Sequence, residues 1–424
     1  MTKFLQYLRN SVAVSVGILS ILAFGGLFYF PQIFDIQIIP LIQRVTIDFS
    51  LFSLILLLGL FLLTFFFGRI YCSTLCPLGL YQELLMLIFR RKNRVQKSYP
   101  YKYILAALTL GILLGGSVYL ARFIDPYTLF GSAISGTWFG LGVLAILAVL
   151  VWFKGRFFCT NVCPVGTVLG LISKFSLCKI HIKSDHCVSC GLCAAQCPTG
   201  SIDFKNKAVN NETCIKCFKC LKSCHKHSLY YGLQPTKKVS FQPNRRKLLL
   251  GGATLAVLGL AFKDGLELTK ITAAKIKKAI LPAGAQNTQK FSNHCLNCNL
   301  CVQNCPMKII KKANKNCPTV HIEYDGGFCD YNCHKCSEIC PSGALKRLTL
   351  SEKQKTQIAL AQTDEDICIS CGFCVHACPR QAISLKRGEF PKFDANICIG
   401  CGKCKSICPV KAISLHPVEN QRTL

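Results

Sequence analysis

Twenty-four of the thirty cysteines in this 424-residue chain fall into six groups of four, and that spacing sets what the chain can fold around. The groups are Cys187, Cys190, Cys193 and Cys197; Cys214, Cys217, Cys220 and Cys224; Cys295, Cys298, Cys301 and Cys305; Cys329, Cys333, Cys336 and Cys340; Cys368, Cys371, Cys374 and Cys378; and Cys398, Cys401, Cys404 and Cys408. Five read C-x2-C-x2-C-x3-C, and the fourth reads C-x3-C-x2-C-x3-C. Proline follows the last cysteine in all but the second group, where His225 stands. Three thiolates at i, i+3 and i+6 wrap three corners of an iron–sulfur cubane, and the fourth, ahead of Pro, reaches a partner cluster. Zinc ribbons use C-x2-C pairs without this four-cysteine run. The chain is too long for a disulfide mini-scaffold.

Crossed ligation predicts Cys187, Cys190, Cys193 and Cys224 on one [4Fe–4S] cluster, and Cys214, Cys217, Cys220 and Cys197 on another. The last four motifs can pair in order, or first with last. Outside the groups remain Cys178 and Cys317, read as structural thiols, and four cysteines in two further pairs.

Those pairs are "GRIYCSTLCPLG" from Gly68 and "GRFFCTNVCPVG" from Gly155. Each carries C-x3-C-P after a long apolar run, giving Cys72 with Cys76 and Cys159 with Cys163. Four apolar runs, Ser11–Tyr29, Phe49–Phe67, Tyr103–Ala121 and Ile134–Phe153, have the length for membrane-spanning helices. If the second and fourth pack side by side, the four thiols arrive at one membrane edge. They then form an iron–sulfur centre, or two redox dithiols, or packed thiols that end each helix. All nine histidines lie at or after His181, so the apolar part has none for a b-type haem, and no C-x2-C-H attaches a c-type haem.

The formal charge is +30, with basic residues scattered among the cluster motifs rather than gathered into a nucleic-acid footprint. The segment from Arg90 to Lys102 is the most basic between apolar runs. By the positive-inside rule it places the N-terminus and both C-x3-C-P pairs on the cytoplasmic side. The expected organisation is a four-span membrane domain over 1–175 and a two-cluster domain over 176–240. A signal anchor follows over 241–264, then a linker over 265–290 and a four-cluster domain over 291–424. The anchor rests on Arg245 and Arg246 ahead of fifteen apolar residues. Such a pair reads as a twin-arginine export signal, as the flank of a short anchor, or as the start of a buried helix. The first two place the last domain outside the cell membrane. The expected fold is thus an all-α, four-helix polytopic membrane domain joined to α+β, bacterial-ferredoxin-like [4Fe–4S] domains.

With these motifs in place, residues 1–240 resemble the NapH family, and residues 241–424 resemble the NapG/MauM family. The resemblance implies a fusion of two proteins that are usually separate. It implies a quinol dehydrogenase of the bacterial cytoplasmic membrane with six [4Fe–4S] clusters and quinol as substrate; a seventh centre at the C-x3-C-P pairs is the added possibility. Electrons would pass from the quinone pool to an exported reductase or its cytochrome c carrier, with periplasmic nitrate reductase first and nitrous oxide reductase as the alternative acceptor. A metallocentre assembly or maintenance factor is the rival from another class, and a redox sensor is a third. Nucleic acid is not an expected partner.

Overall fold

A computed structural model of the chain describes residues 2–27, 35–48, 50–89, 99–114, 118, 121–233, 279–314, 317–386 and 388–424. The twin-arginine segment, the linker up to residue 278 and most of the basic segment after Phe89 lie outside them. The chain forms two compact units: residues 1–23 with 35–264, and residues 24–34 with 265–424.

The first unit is helical up to Lys174. Among the described residues one helix, Phe4–Phe24, is long and apolar enough to cross a membrane by itself. It begins at Thr2, nine residues before the apolar run, and so carries Arg9 inside it. Leu51–Phe67 and Tyr101–Leu114 are apolar but shorter, and Trp138–Lys154 meets Pro126–Ile134 at a bend of 117°. The shortening has local causes. Gly68 ends one helix at a φ of 81°, and Thr137 caps the start of another by accepting from the Gly140 amide. Both helices are therefore 17 residues, roughly 25 Å at 1.5 Å per residue. Their outward faces leave Phe52, Ile55, Leu58, Ile146, Val149 and Trp152 exposed.

After each of these two helices the chain repeats one device. A short turn, Tyr71–Thr74 or Phe157–Asn161, carries the first cysteine. The second cysteine is the extended N-cap of a new helix with Pro at its first position, Pro77–Ile88 or Pro164–Lys174. Each new helix packs on the other repeat: Pro77–Ile88 against Trp138–Lys154, and Pro164–Lys174 against Leu51–Phe67.

The first ferredoxin-like module, Cys178–Leu233, belongs to the same unit. An antiparallel pair, Cys178–Ile182 with Leu229–Leu233, closes it, and Ile180 and Leu229 lie in its core. The Tyr231 hydroxyl donates to the Phe67 carbonyl at 3.0 Å, and the Leu177 amide donates to Phe65 at 2.9 Å. The helical part and this module are thus one body, although composition changes sharply at Leu177.

The second unit holds four motifs. Ala359–Thr363 pairs with Ile413–Pro417, and two-residue ladders join Ile310–Lys311 to His321–Ile322 and Ile383–Ser384 to Lys392–Phe393. Within the regular motifs, the second residue after the first cysteine and the residue after the second cysteine take positive φ. Asn297 and Asn299 do so, as do Lys216 and Phe218. This geometry curls the loop around a cavity. A bulky residue held there, as Phe218 is at 60°, marks a conformation set by the site rather than by local preference. The irregular fourth motif has no such residue between Cys329 and Cys340; its extra residue replaces the curl.

Candidate functional site

Both predicted crossed sets of the first module come together. Cys187, Cys190, Cys193 and Cys224 line one cavity with Val188, Phe204 and Lys226. Cys217 and Cys220 lie within electrostatic reach of Cys214 and Cys197. Burial, then the charge of Cys197, pushes the Cys217 thiol up to about 12. Buried thiols that repel one another do not ionise together without a compensating cationic core, and iron supplies one.

In the second unit the motifs pair in order, the choice the spacing left open. Cys298 and Cys301 sit beside Cys295 and Cys340. Cys336 sits beside Cys329, Cys333 and Cys305. Cys378 joins Cys398, Cys401 and Cys404 around one cavity, and Cys408 joins Cys368, Cys371 and Cys374 around another. The two pairs meet where the Cys329 amide donates to the Cys401 carbonyl at 2.7 Å. Tyr324 is buried at that junction and donates to the Gly400 carbonyl at 2.6 Å. The four sets therefore run in a row, with the Cys295 and Cys368 sets at its ends. Among the described residues no three ligand-type side chains stand close enough to hold one bare metal ion. Three of the quartets surround cavities instead, as a cubane requires.

Cys317 is buried beside His321, whose Nε2 faces Glu323 at 3.0 Å and whose Nδ1 faces the Thr319 carbonyl at 3.2 Å. Hydrogen bonding to Cys317 holds His321 up at about 9, against the opposing effect of burial. The sequence reading of Cys317 as a plain structural thiol missed this pair; a C-x3-H spacing was its only trace.

Cys72, Cys76, Cys159 and Cys163 are all buried and mutually close. Two glycines make the approach possible. A Cβ on Gly79 would lie 2.5 Å from the Cys72 carbonyl oxygen, and one on Gly166 would lie 2.3 Å from that of Cys159. Above the thiols lie two guanidiniums, Arg69 at 1% exposure and Arg156 at 0%. Arg69 donates to the carbonyls of Cys159 and Glu212, each at 3.0 Å, and its Nη2 is 3.7 Å from the Cys72 sulfur. Arg156 donates to the Cys72 carbonyl at 3.2 Å and to Glu83 at 2.9 Å. Glu83 also pairs with Arg9 and, at 2.9 Å, with Lys219.

Charge and hydrogen bonding test which group fits here. Arg9, Arg156 and Lys219 converge on the one carboxylate of Glu83, and Arg69 reaches no carboxylate among the described residues but lies against the Cys72 sulfur. Buried charge needs compensation, so this site asks for an anionic occupant. Neutral thiols or a disulfide bring no charge, whereas an oxidised cubane with four thiolates carries about −2. Arg69 Nε, Arg156 Nε and Gln82 Nε2 are buried donors without a partner. The Gln82 Oε1 faces the Cys159 sulfur at 3.3 Å; turning the amide over aims its N–H at a thiolate. The residues fit an iron–sulfur centre. The site adjoins the first module directly, since the Arg156 amide donates at 3.1 Å to the carbonyl of Pro198, next to Cys197.

Comparison with known proteins agrees with this chemistry. A family of 4Fe-4S binding domains matches residues 49–96 and 136–183, the two C-x3-C-P repeats. Families of 4Fe-4S dicluster domains match 179–225, 210–309 and 361–415. An uncharacterized protein of Methanocaldococcus jannaschii is 33% identical over 210 residues, covering 47% of this chain and 78% of the relative. The putative electron transport protein YccM of Escherichia coli is 26% identical, over 50% of this chain and 63% of its own length. The methylamine utilization ferredoxin-type protein MauM of Methylobacillus flagellatus is 33% identical, over 34% of this chain and 68% of its own. With its repeated four-cysteine sites, the chain belongs to the ferredoxin-type iron–sulfur electron-transport family that includes MauM.

Proposed function

We propose that this protein is a quinol dehydrogenase of the cytoplasmic membrane, with seven [4Fe–4S] centres, that passes electrons to an exported reductase. The observation that carries the reading is the C-x3-C-P quartet, four buried thiols under uncompensated cations at the end of two apolar helices. The exposed apolar faces of those helices support a lipid setting. The matches to a putative electron transport protein and to ferredoxin-type proteins support the electron-transfer role.

Iron–sulfur centres, when bound, supply one-electron transfer. The chain's own residues do the rest. Cys72, Cys76, Cys159 and Cys163 hold the entry centre, and Arg69 and Arg156 fix its charge. The Arg156–Pro198 contact brings it next to the Cys197 set. In this reading the N-terminus and first module face the cytoplasm and the last four motifs face outward. Periplasmic nitrate reductase is the first candidate acceptor, with nitrous oxide reductase second.

The test is quinol-driven reduction of anaerobically purified protein, followed by absorbance and EPR. Cys76→Ser and Cys163→Ser each abolish it, and the double variant does no further harm, because both changes dismantle one site. The ferredoxin-type signals remain. Reduction at the parental rate in both single variants overturns the reading. Growth of a deletion strain on nitrate and on nitrous oxide then separates the acceptors.

A further inference from the structure

The first module carries a feature that a quinol-fed relay does not use. Its two clusters are not equivalent. The Cys197, Cys214, Cys217 and Cys220 set is buried and adjoins the C-x3-C-P centre. The Cys187 set is more open: Cys187, Cys193 and Cys224 are partly buried, and Cys190 is exposed to solvent. Around that opening Val188 and Leu192 are exposed at 63% and 46%. Lys226 and His225 line the same cavity, and Lys183, Lys222, His186 and His227, each within four residues of one of its cysteines, are exposed. The whole module has eight lysines against three acidic residues, Asp185, Asp203 and Glu212. Asp203 is engaged by Asn206 in its own turn, and Glu212 by Lys102 and Tyr103.

We infer that this face is an electron port for a small, acidic, soluble one-electron carrier protein, separate from the quinol site. An exposed ligand gives short contact to the cluster, the apolar residues give a dry centre, and the lysine rim steers a negative partner. This is the arrangement of an electrostatically guided encounter. In each encounter the carrier loses or gains one electron and the chain gains or loses the same one; no proton or further reactant is needed. A merely solvated basic face, or one resting on anionic lipid, does not require an open cluster at its centre.

The experiment uses the full chain in nanodiscs, loaded with its clusters, mixed by stopped flow with a photoreduced acidic [2Fe–2S] ferredoxin. The same ferredoxin with its acidic surface residues reversed to lysine, photoreduced in the same way, serves as the opposite probe. We expect fast reduction by the ferredoxin that falls steeply with added salt. Lys183→Glu, Lys222→Glu and Lys226→Glu together slow it roughly tenfold or more. The matching Lys→Arg triple retains the rate, and the iron content of both triples matches the parent. Unchanged ferredoxin rates in the Glu triple overturn the inference. So do equal rates with the charge-reversed ferredoxin, or a rate set by anionic lipid content rather than by these lysines. Because no quinol is present, failure here leaves the quinol reading untouched, and failure of quinol oxidation leaves this result standing.

Discussion

Arg69 and Arg156 occupy equivalent positions in two repeats, and each guanidinium donates to the first cysteine carbonyl of the opposite repeat, Cys159 or Cys72. This exchange, not proximity in sequence, closes the thiol site. Each arginine is also a fixed positive charge beside the sulfurs. A nearby cation favours the more negative, reduced form of a cluster and so raises its potential. Arg69→Gln is therefore expected to lower the midpoint potential of the C-x3-C-P centre in an EPR redox titration, with the ferredoxin-type signals unmoved. A shift common to all signals would point to general loosening instead.

Iron content counts the centres. Seven cubanes bring about 28 Fe per chain. Cys163→Ser should remove about four. Cys197→Ser should remove about four others, because it belongs to the Cys214 set although it lies in the first motif; the signal of the Cys187 set then survives. Loss of the Cys187 set instead would mean that the pairing is not crossed.

Gly79 and Gly166 set the closeness of the quartet. Neither neighbour can give way, since the obstructing atoms are backbone carbonyls of the cysteine turns. Gly166→Ala also crowds Arg69, whose Nη2 would lie 2.8 Å from the new Cβ. Either alanine is expected to destabilise the helical part by about 1–3 kcal/mol. Thermal unfolding in detergent should show a lowered midpoint, and iron analysis a loss of the C-x3-C-P centre alone.

The Cys317–His321 pair gives the second unit a pH window. His321 has a raised value of about 9 in the fold, against roughly 6.5 for a free histidine. A raised value means that the folded form binds the proton more tightly. Its stabilising effect is fully present below about pH 6.5 and is lost as pH rises through about 9. Hydrogen exchange of the 317–324 segment, corrected for intrinsic rates, should show protection that declines across that interval. In Cys317→Ser the decline should begin at lower pH.

Much of the site was legible because cysteine spacing is a short-range code. The crossed pairing around Cys197 and Cys224 follows from the motif itself, and the repeat of Gly68–Gly79 in Gly155–Gly166 shows that Cys72 and Cys159 share a role. The pairing of the last four motifs was not legible, since it depends on how far the loops between them reach. Arg9 was hidden for another reason. It precedes the apolar run and looks like a flank, yet the helix starts at Thr2 and carries it to Glu83, 74 residues away. Lys219 reads as a motif filler between two ligands until its partner, Glu83, is seen. The bend near Gly136 falls at the start of the fourth apolar run, where Ser135, Gly136 and Thr137 interrupt the apolar sequence, but its angle depends on packing.

Three cations gathered around Glu83, with Arg69 beside the same thiols, have a consequence for how this protein is built. An empty quartet leaves them facing one another in a dry interior, so the bundle resists closing before its cofactor arrives. Loading and folding then become one equilibrium. Oxidative damage to the centre would do more than stop electron flow: it would release the repulsion that the centre holds in check, and the helical half would open to proteases along the seam between its two repeats.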